Sequence, residues 1–184
     1  MIEPCDLFKQ IPREKLEYLF EHSDASGELD ATFLGFEDPY RVVKDIADKD
    51  MVIIDFGCAY ATQSWYFRDH VKYIGVDSWS DKDSVIHTEN SEYYFTTIQD
   101  FIERVWPVLQ CTGMTTDNVF AVCSAVPDKE AREMVLTTFK NCLDWYPCER
   151  VTIKQNGEPK QYRECELFDF KESDNDVDYE PEQE

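Results

Sequence analysis

The chain is poor in the residues that build metal centres, disulfide frameworks and membrane spans. Its three histidines, His22, His70 and His87, are far apart and form no H-x-x-x-H pair. Its seven cysteines, Cys5, Cys58, Cys111, Cys123, Cys142, Cys148 and Cys165, include no C-x-x-C. Zinc-ribbon and thioredoxin-like readings fail on that spacing, and no metal site is expected. An odd count with no pairing pattern fits free thiols in a reducing compartment. No apolar run approaches the length that spans a bilayer. The first ten residues carry Glu3 and Asp6 and no long apolar stretch, which argues against a secretory signal. The expectation is a cytoplasmic protein with no membrane association.

Positive charge is also scarce. Lysine and arginine number 18 against 39 acids, a formal net charge of −21. Residues 169–184 hold eight acids and only Lys171, a net of −7, which leaves −14 on the rest of the chain. The acidity therefore belongs to the folded body as well as to the tail. Such a field repels phosphates and disfavours direct binding to DNA or RNA; it favours basic protein partners.

What the chain does have is core material. Apolar residues make up 42% of 184 positions and aromatics 14%, enough for one domain with a core of its own. The reading is a single α/β domain over 1–170, with N-terminal helices within 12–48, a core over 51–170, and an acidic, disordered tail over 171–184. Residues 12–22 place Leu16, Leu19 and Phe20 at helical spacing after Pro12, and Ser23–Asp30 reads as a polar loop. A second helix is expected from about Pro39 to Ala47, with Asp38 as N-cap.

Met51–Phe56 is short, continuously apolar and β-branched, the pattern of a strand buried on both faces. A turn at Gly57–Ala61 should lead into a helix through about His70, then into a strand at Tyr73–Val76 that ends in Asp77. That succession is a βαβ unit. Further expected elements are a strand at Tyr93–Thr97, a helix at Ile98–Leu109, a buried strand at Asn118–Ser124 and a helix from Pro127 and Asp128 to about Leu143. Strands at Arg150–Gln155 and Tyr162–Phe170 should close the sheet around an Asn156-Gly157 turn, with the last pair open to an antiparallel arrangement. The fold class is α/β: a mainly parallel, Rossmann-like sheet with helices on both faces.

Ile53-Ile54-Asp55-Phe56-Gly57-Cys58-Ala59-Tyr60-Ala61 resembles the first motif of class I S-adenosylmethionine (SAM) methyltransferases, an acid and then small residues at alternating positions after the first strand. Asp55 matches the acid, Gly57 the first glycine, and Ala59 and Ala61 the next two small positions. Tyr73-Ile74-Gly75-Val76-Asp77 resembles the second motif, whose acid binds the cofactor ribose. In Ile98-Gln99-Asp100, Asp100 matches the acid that faces the adenine amino group. The resemblance covers about residues 39–155 and implies SAM as cofactor. Its cofactor-binding positions would be Asp55, Gly57, Ala59, Asp77 and Asp100, with Trp79 over an adenine face.

The same positions make physical sense on their own. Ligands of open parallel sheets sit beyond the carboxyl ends of the strands, glycine permits close approach, and a carboxylate can accept two hydrogen bonds from a ribose diol. The plain alternative is a tight βαβ turn, with Asp55 and Asp77 as strand-end caps and Trp79 a surface anchor. Ala59 and Ala61 add methyl groups where a methionine moiety would pass.

The acceptor side is where the likeness stops. Amino-methyltransferases acting on nucleic acid carry an acid or asparagine and then Pro-Pro-aromatic after the fourth strand; here the chain reads Ser124-Ala125-Val126-Pro127-Asp128. Pro147-Cys148 stands before the next strand, outside the loop where a cytosine C5-methyltransferase holds its nucleophile. Cys123 reads as a buried structural thiol. No catalytic residue follows from the sequence. Asp174–Asp178 opens like an EF-hand loop but has Tyr179 where glycine is required, so it reads as solvated tail. The aromatic cluster Tyr60, Trp65, Tyr66 and Phe67 reads as core packing. Two functions remain: a divergent SAM-dependent methyltransferase with a small-molecule or protein acceptor, or a non-enzymatic acidic interaction protein on a methyltransferase-like scaffold. The second would be an interaction or inhibitor protein, for example of the phage- or plasmid-type anti-CRISPR or anti-restriction kind.

Overall fold

The computed structural model describes residues 37–59, 61–78 and 88–168. The expected helix at 12–22, the loop at Ser23–Asp30, Tyr60, Trp79 and the acidic tail lie outside the described residues. Seven strands form one sheet: β1 Val52–Phe56, β2 Lys72–Val76, β3 Ser91–Tyr94, β4 Val119–Ser124, β5 Cys142–Trp145, β6 Val151–Gln155 and β7 Glu158–Tyr162. Their order is β3-β2-β1-β4-β5-β6-β7. The first five are parallel, while β6 runs antiparallel to β5 and β7 antiparallel to β6. The expected α/β sheet, central β1 with β2 beside it, and antiparallel close are all present.

β1 sits at the centre of the five parallel strands because four of its five residues are large and apolar. All five of its residues are buried. Val52, Ile54 and Phe56 face one layer, packed with Phe101, Val105, Trp106, Val135 and Phe139. Ile53 faces the other, with Tyr40, Val43, Phe67, Tyr73 and Phe120. Each such side chain contributes about 1.5–3 kcal/mol by leaving water. The first layer is covered by α2, a continuous helix over 98–111, and by α3, Lys129–Thr138. The second is covered by α1, Glu37–Ile46, and by a 3-10 turn at Thr62–Phe67. A short helix α4, Glu164–Phe168, follows β7.

Several sequence expectations shift at the ends. α1 begins at Glu37, which puts Asp38 inside its first turn rather than at its cap. Pro39 is tolerated there because first-turn amides lack helical partners. The helix expected through His70 is only the 3-10 turn. The Gln63 amide is held by Asp55 and the Cys58 carbonyl, which pins that turn to the sheet. β3 lies two to three residues earlier than expected, and Thr97 instead caps α2 through Oγ1 to the Asp100 amide. Inside α2, Phe101–Val105 is a π-helical segment in which the Trp106 amide donates to the Phe101 carbonyl. Pro107 follows directly, and the wider turn accommodates its missing donor.

α3 stops at Thr138, and the expected continuation to Leu143 is instead β5. Phe139 turns extended and buries against Phe56 and Trp106. The charge in β5 is matched inside the fold: Arg132 Nε and Nη2 donate to the Asp144 carboxylate at 2.8 and 3.0 Å. The last strand begins directly after Asn156-Gly157 rather than at Tyr162, because φ angles of +50° and +83° close a two-residue hairpin there.

The centre of the sheet leaves no spare volume. A Cβ on Gly75 would overlap the Tyr93 ring and come within 2.9 Å of Cys58 Sγ. Gly75→Ala should therefore destabilise the protein by about 1–3 kcal/mol, read from urea unfolding. His70 offers a second check. Its Nε2 donates to the Ala47 carbonyl at 3.2 Å, and its buried Nδ1 has no hydrogen-bond partner among the described residues. Burial holds its pKa below the ordinary 6.5. The unfolded chain thus takes up this proton before the folded one, and stability falls as pH drops below about 6.5. An imidazole titration by NMR should place His70 below that value, and His70→Gln should weaken the acid-side loss of stability.

Candidate functional site

The strand order reverses direction between β1 and β4, and the carboxyl ends of parallel strands at such a point frame a crevice. A cleft of about 650 Å³ lies there. Its floor is Gly57 and Val76, its walls are Asp77 and Ser78 after β2, Thr96 to Gln99 at the start of α2, and Ser124 to Asp128 after β4. The volume falls in the range of small-molecule sites, roughly 300–1,000 Å³. Among the described lining residues every charged side chain is an acid: Asp77, Glu103, Asp128 and Glu130.

The turn beneath the cleft is built by spending its own amides. Gly57 N–H donates to the Val76 carbonyl at 2.8 Å, and Cys58 N–H to the same oxygen at 3.3 Å. Ala59 N–H donates to Asp77 Oδ2 at 2.8 Å, and Ala61 N–H to the Cys58 carbonyl at 2.8 Å. Gly57, Ala59 and Ala61 all have positive φ, at 76°, 47° and 55°. Alanine in that region costs about 1–3 kcal/mol, which these bonds and the surrounding packing offset. The result is a rigid turn with those four amides committed, so it is not a phosphate cradle of the kind glycine-rich loops form. The N-terminus of α3 is likewise closed, since Asp128 Oδ1 accepts from the Glu130 and Ala131 amides.

The seven sequence-derived positions separate accordingly. Gly57 and Asp77 line the cleft. Ala59 does not, but is bonded to Asp77 through its amide. The Ala61 methyl is fully buried in the core under α1, away from the cleft lining. Asp100 also lies off the lining, 3.8 Å from Arg104 one helical turn on. Trp79 is outside the described residues. Glu103, Glu130 and Thr96 were not singled out by sequence; Asp128 was read only as the start of a helix, which it caps four residues after the end of β4.

Asp55 is part of neither wall. It is fully buried behind the turn, on the α1 side of the sheet. Tyr73 Oη donates to its Oδ2 at 2.5 Å, Gln63 Nε2 to the same oxygen at 2.7 Å, and Tyr40 Oη to Oδ1 at 3.1 Å. Burial pushes its pKa up from the ordinary 3.8 to about 7, against those three donors, which lower it. Burial also pushes the Cys58 and Cys123 thiols well above their ordinary range. Both read as packed, unreactive thiols.

The architecture is that of an α/β protein whose sheet is compatible with a Rossmann-like fold, with its crevice at the switch point. No protein-family description matches the chain, and no curated protein is similar enough to match it. Among the described residues no helix is long and apolar enough to cross a membrane.

Asp55 yields a signed prediction. The folded state keeps its proton up to about pH 7, whereas the unfolded chain releases it near 3.8. Its contribution to stability is complete below 3.8 and is lost as pH rises through 7. Urea unfolding across that window should show the wild type losing stability relative to Asp55→Asn as pH rises. Tyr73→Phe, which removes one donor without changing packing, should cost about 1–3 kcal/mol and raise the Asp55 pKa further.

Proposed function

We propose that the cleft above Gly57 binds S-adenosylmethionine and that the chain is a divergent methyltransferase-like protein. The observation that carries this reading is the charge of the cleft. A site at a switch point would ordinarily be read as one for a dinucleotide, but four carboxylates and no lysine or arginine among the described lining residues repel phosphate. They suit a nucleoside that carries positive charge, and the sulfonium and ammonium of SAM meet that description. Asp77 stands at the end of β2 beside Gly57, where a ribose diol would reach it. Its bond to the Ala59 amide at 2.8 Å holds the carboxylate at the edge of the turn. When bound, SAM supplies an electrophilic methyl group. The part of this chain is to hold the ribose at Asp77 and to surround the cationic end with Glu103, Asp128 and Glu130.

A second reading rests on Val126. Its Cγ2 lies 2.9 Å from where a Gly57 Cβ would stand, so a side chain of this protein occupies the nearest approach to the turn. With a net charge of −21, the same scaffold would then act as an acidic interaction protein, engaging a basic nucleic-acid-binding partner.

Titration calorimetry separates the two. SAM should bind, and more tightly than neutral-sulfur S-adenosylhomocysteine, with a preference that shrinks in salt. Asp77→Ala should weaken binding by about 1.5–3 kcal/mol, and Glu103→Gln with Glu130→Gln should erase much of the preference for the sulfonium. Gly57→Val should abolish binding. Failure of both nucleosides to bind, with tight, salt-sensitive binding to a purified basic nucleic-acid-binding protein, would replace the first reading by the second.

A further inference from the structure

Three thiols are exposed among the described residues: Cys111, Cys148 and Cys165. Two of them share one place. Cys148, in the turn after β5, and Cys165, in α4, line a single shallow pocket of about 590 Å³ together with Arg150, Arg163 and Phe168. The turn is tied to the helix next to Cys165, because Cys148 N–H donates at 2.9 Å to the side-chain Oε2 of Glu164, the residue before it. Cys148 also holds a φ of +65°, a left-handed conformation unusual for a residue with a Cβ. Nothing in the cleft chemistry uses either sulfur.

We propose that Cys148 and Cys165 form a thiol–disulfide exchange site that reacts with a low-molecular-weight disulfide, such as oxidised glutathione, and ends as an intramolecular disulfide. In the first step the Cys148 thiolate attacks one glutathione sulfur. The Cys148–glutathione bond forms as the original S–S bond breaks, and one glutathione leaves as its thiolate. The Cys165 thiolate then attacks the Cys148 sulfur and expels the second glutathione. The two protein thiols are oxidised to one disulfide, the glutathione disulfide is reduced to two thiols, and the two protein protons end on the departing glutathiones. Arg150 and Arg163 line the same pocket as the two sulfurs, together with Glu149, which is paired with Arg132, and Glu164, which is bonded to the Cys148 amide.

Closure asks for the movement of small elements only. A protein disulfide needs Cα atoms about 4.4–6.8 Å apart, and the elements that must adjust are a turn and a five-residue helix. α4 is attached by the Glu164 bond and by Phe168 packed edge-on to Trp145. The bond would fasten that helix to the β5–β6 turn. Cys111, exposed at the end of α2, lines no part of this pocket, and Cys58, Cys123 and Cys142 are buried.

The test uses the reduced full-length protein, oxidised glutathione as the probe, and mass spectrometry of digests after alkylation. The expected result is a Cys148–Cys165 cross-linked peptide as the main product, with glutathione remaining on Cys111. Cys148→Ser and Cys165→Ser should each lose the cross-link and trap glutathione as a stable mixed disulfide on the remaining partner. Unfolding in urea before oxidation should lose the preference for this pair. Stable glutathione adducts on both sulfurs of the wild type without the cross-link would overturn the proposal, as would no reaction at either.

Discussion

One buried carboxylate holds the working end of this fold together. Asp55 leaves water completely at the end of the central strand and survives there because three separate elements aim donors at it. Tyr40 comes from α1, Gln63 from the 3-10 turn and Tyr73 from β2. An unpaired charge there would cost several kcal/mol, so each of the three must stay in place for the others to be tolerated. Gln63 extends the tie to the Cys58 carbonyl, and through it to the turn that carries Gly57. The floor of the cleft is therefore set from behind, by a polar cluster on the opposite side of the strand.

That arrangement explains how a turn with three positive φ angles and only one glycine can be stable. Gly57, Cys58, Ala59 and Ala61 donate their amides to atoms of the chain itself, and Asp77 closes the set from the end of β2. A turn so satisfied offers backbone shape rather than backbone charge to whatever enters the cleft. The charge comes instead from side chains of β2, α2 and α3, all of one sign. Arg132, the one cation buried in α3, is spent on Asp144 and Glu149. The cleft thus selects against phosphate twice, by its closed amides and by its carboxylates.

The central strands were legible because each of β1, β2 and β4 is a short apolar run with β-branched or aromatic residues, and burial on both faces leaves no other reading. β5 was not, because Asp144 in a four-residue buried strand looks like a helix position until Arg132 is found opposite it. α3 and β5 are joined by that pair, which no local pattern contains. Gly57 and Asp77 were legible as cleft residues since both stand at strand ends. Glu103 and Glu130 were not, because only the sheet order brings α2 and α3 to the same crevice. Asp55 carried a signal in its parity: it alternates with Ile54 and Phe56 and so must face the layer of Ile53 and Tyr73, away from the α2 side.

The antiparallel hairpin that ends the sheet has a bearing on how copies of this chain behave at high concentration. β7 is the outermost strand, and Glu158, Pro159, Lys160 and Gln161 are all exposed. A strand added from another molecule would need a continuous row of donors and acceptors along that border. Pro159 interrupts the donors, and the neighbouring charges must be desolvated before any new ladder can form. Lys160 also leans over the Tyr162 ring at 4.9 Å, covering the one large apolar surface on the strand. This border of the sheet therefore resists templated addition of a further strand.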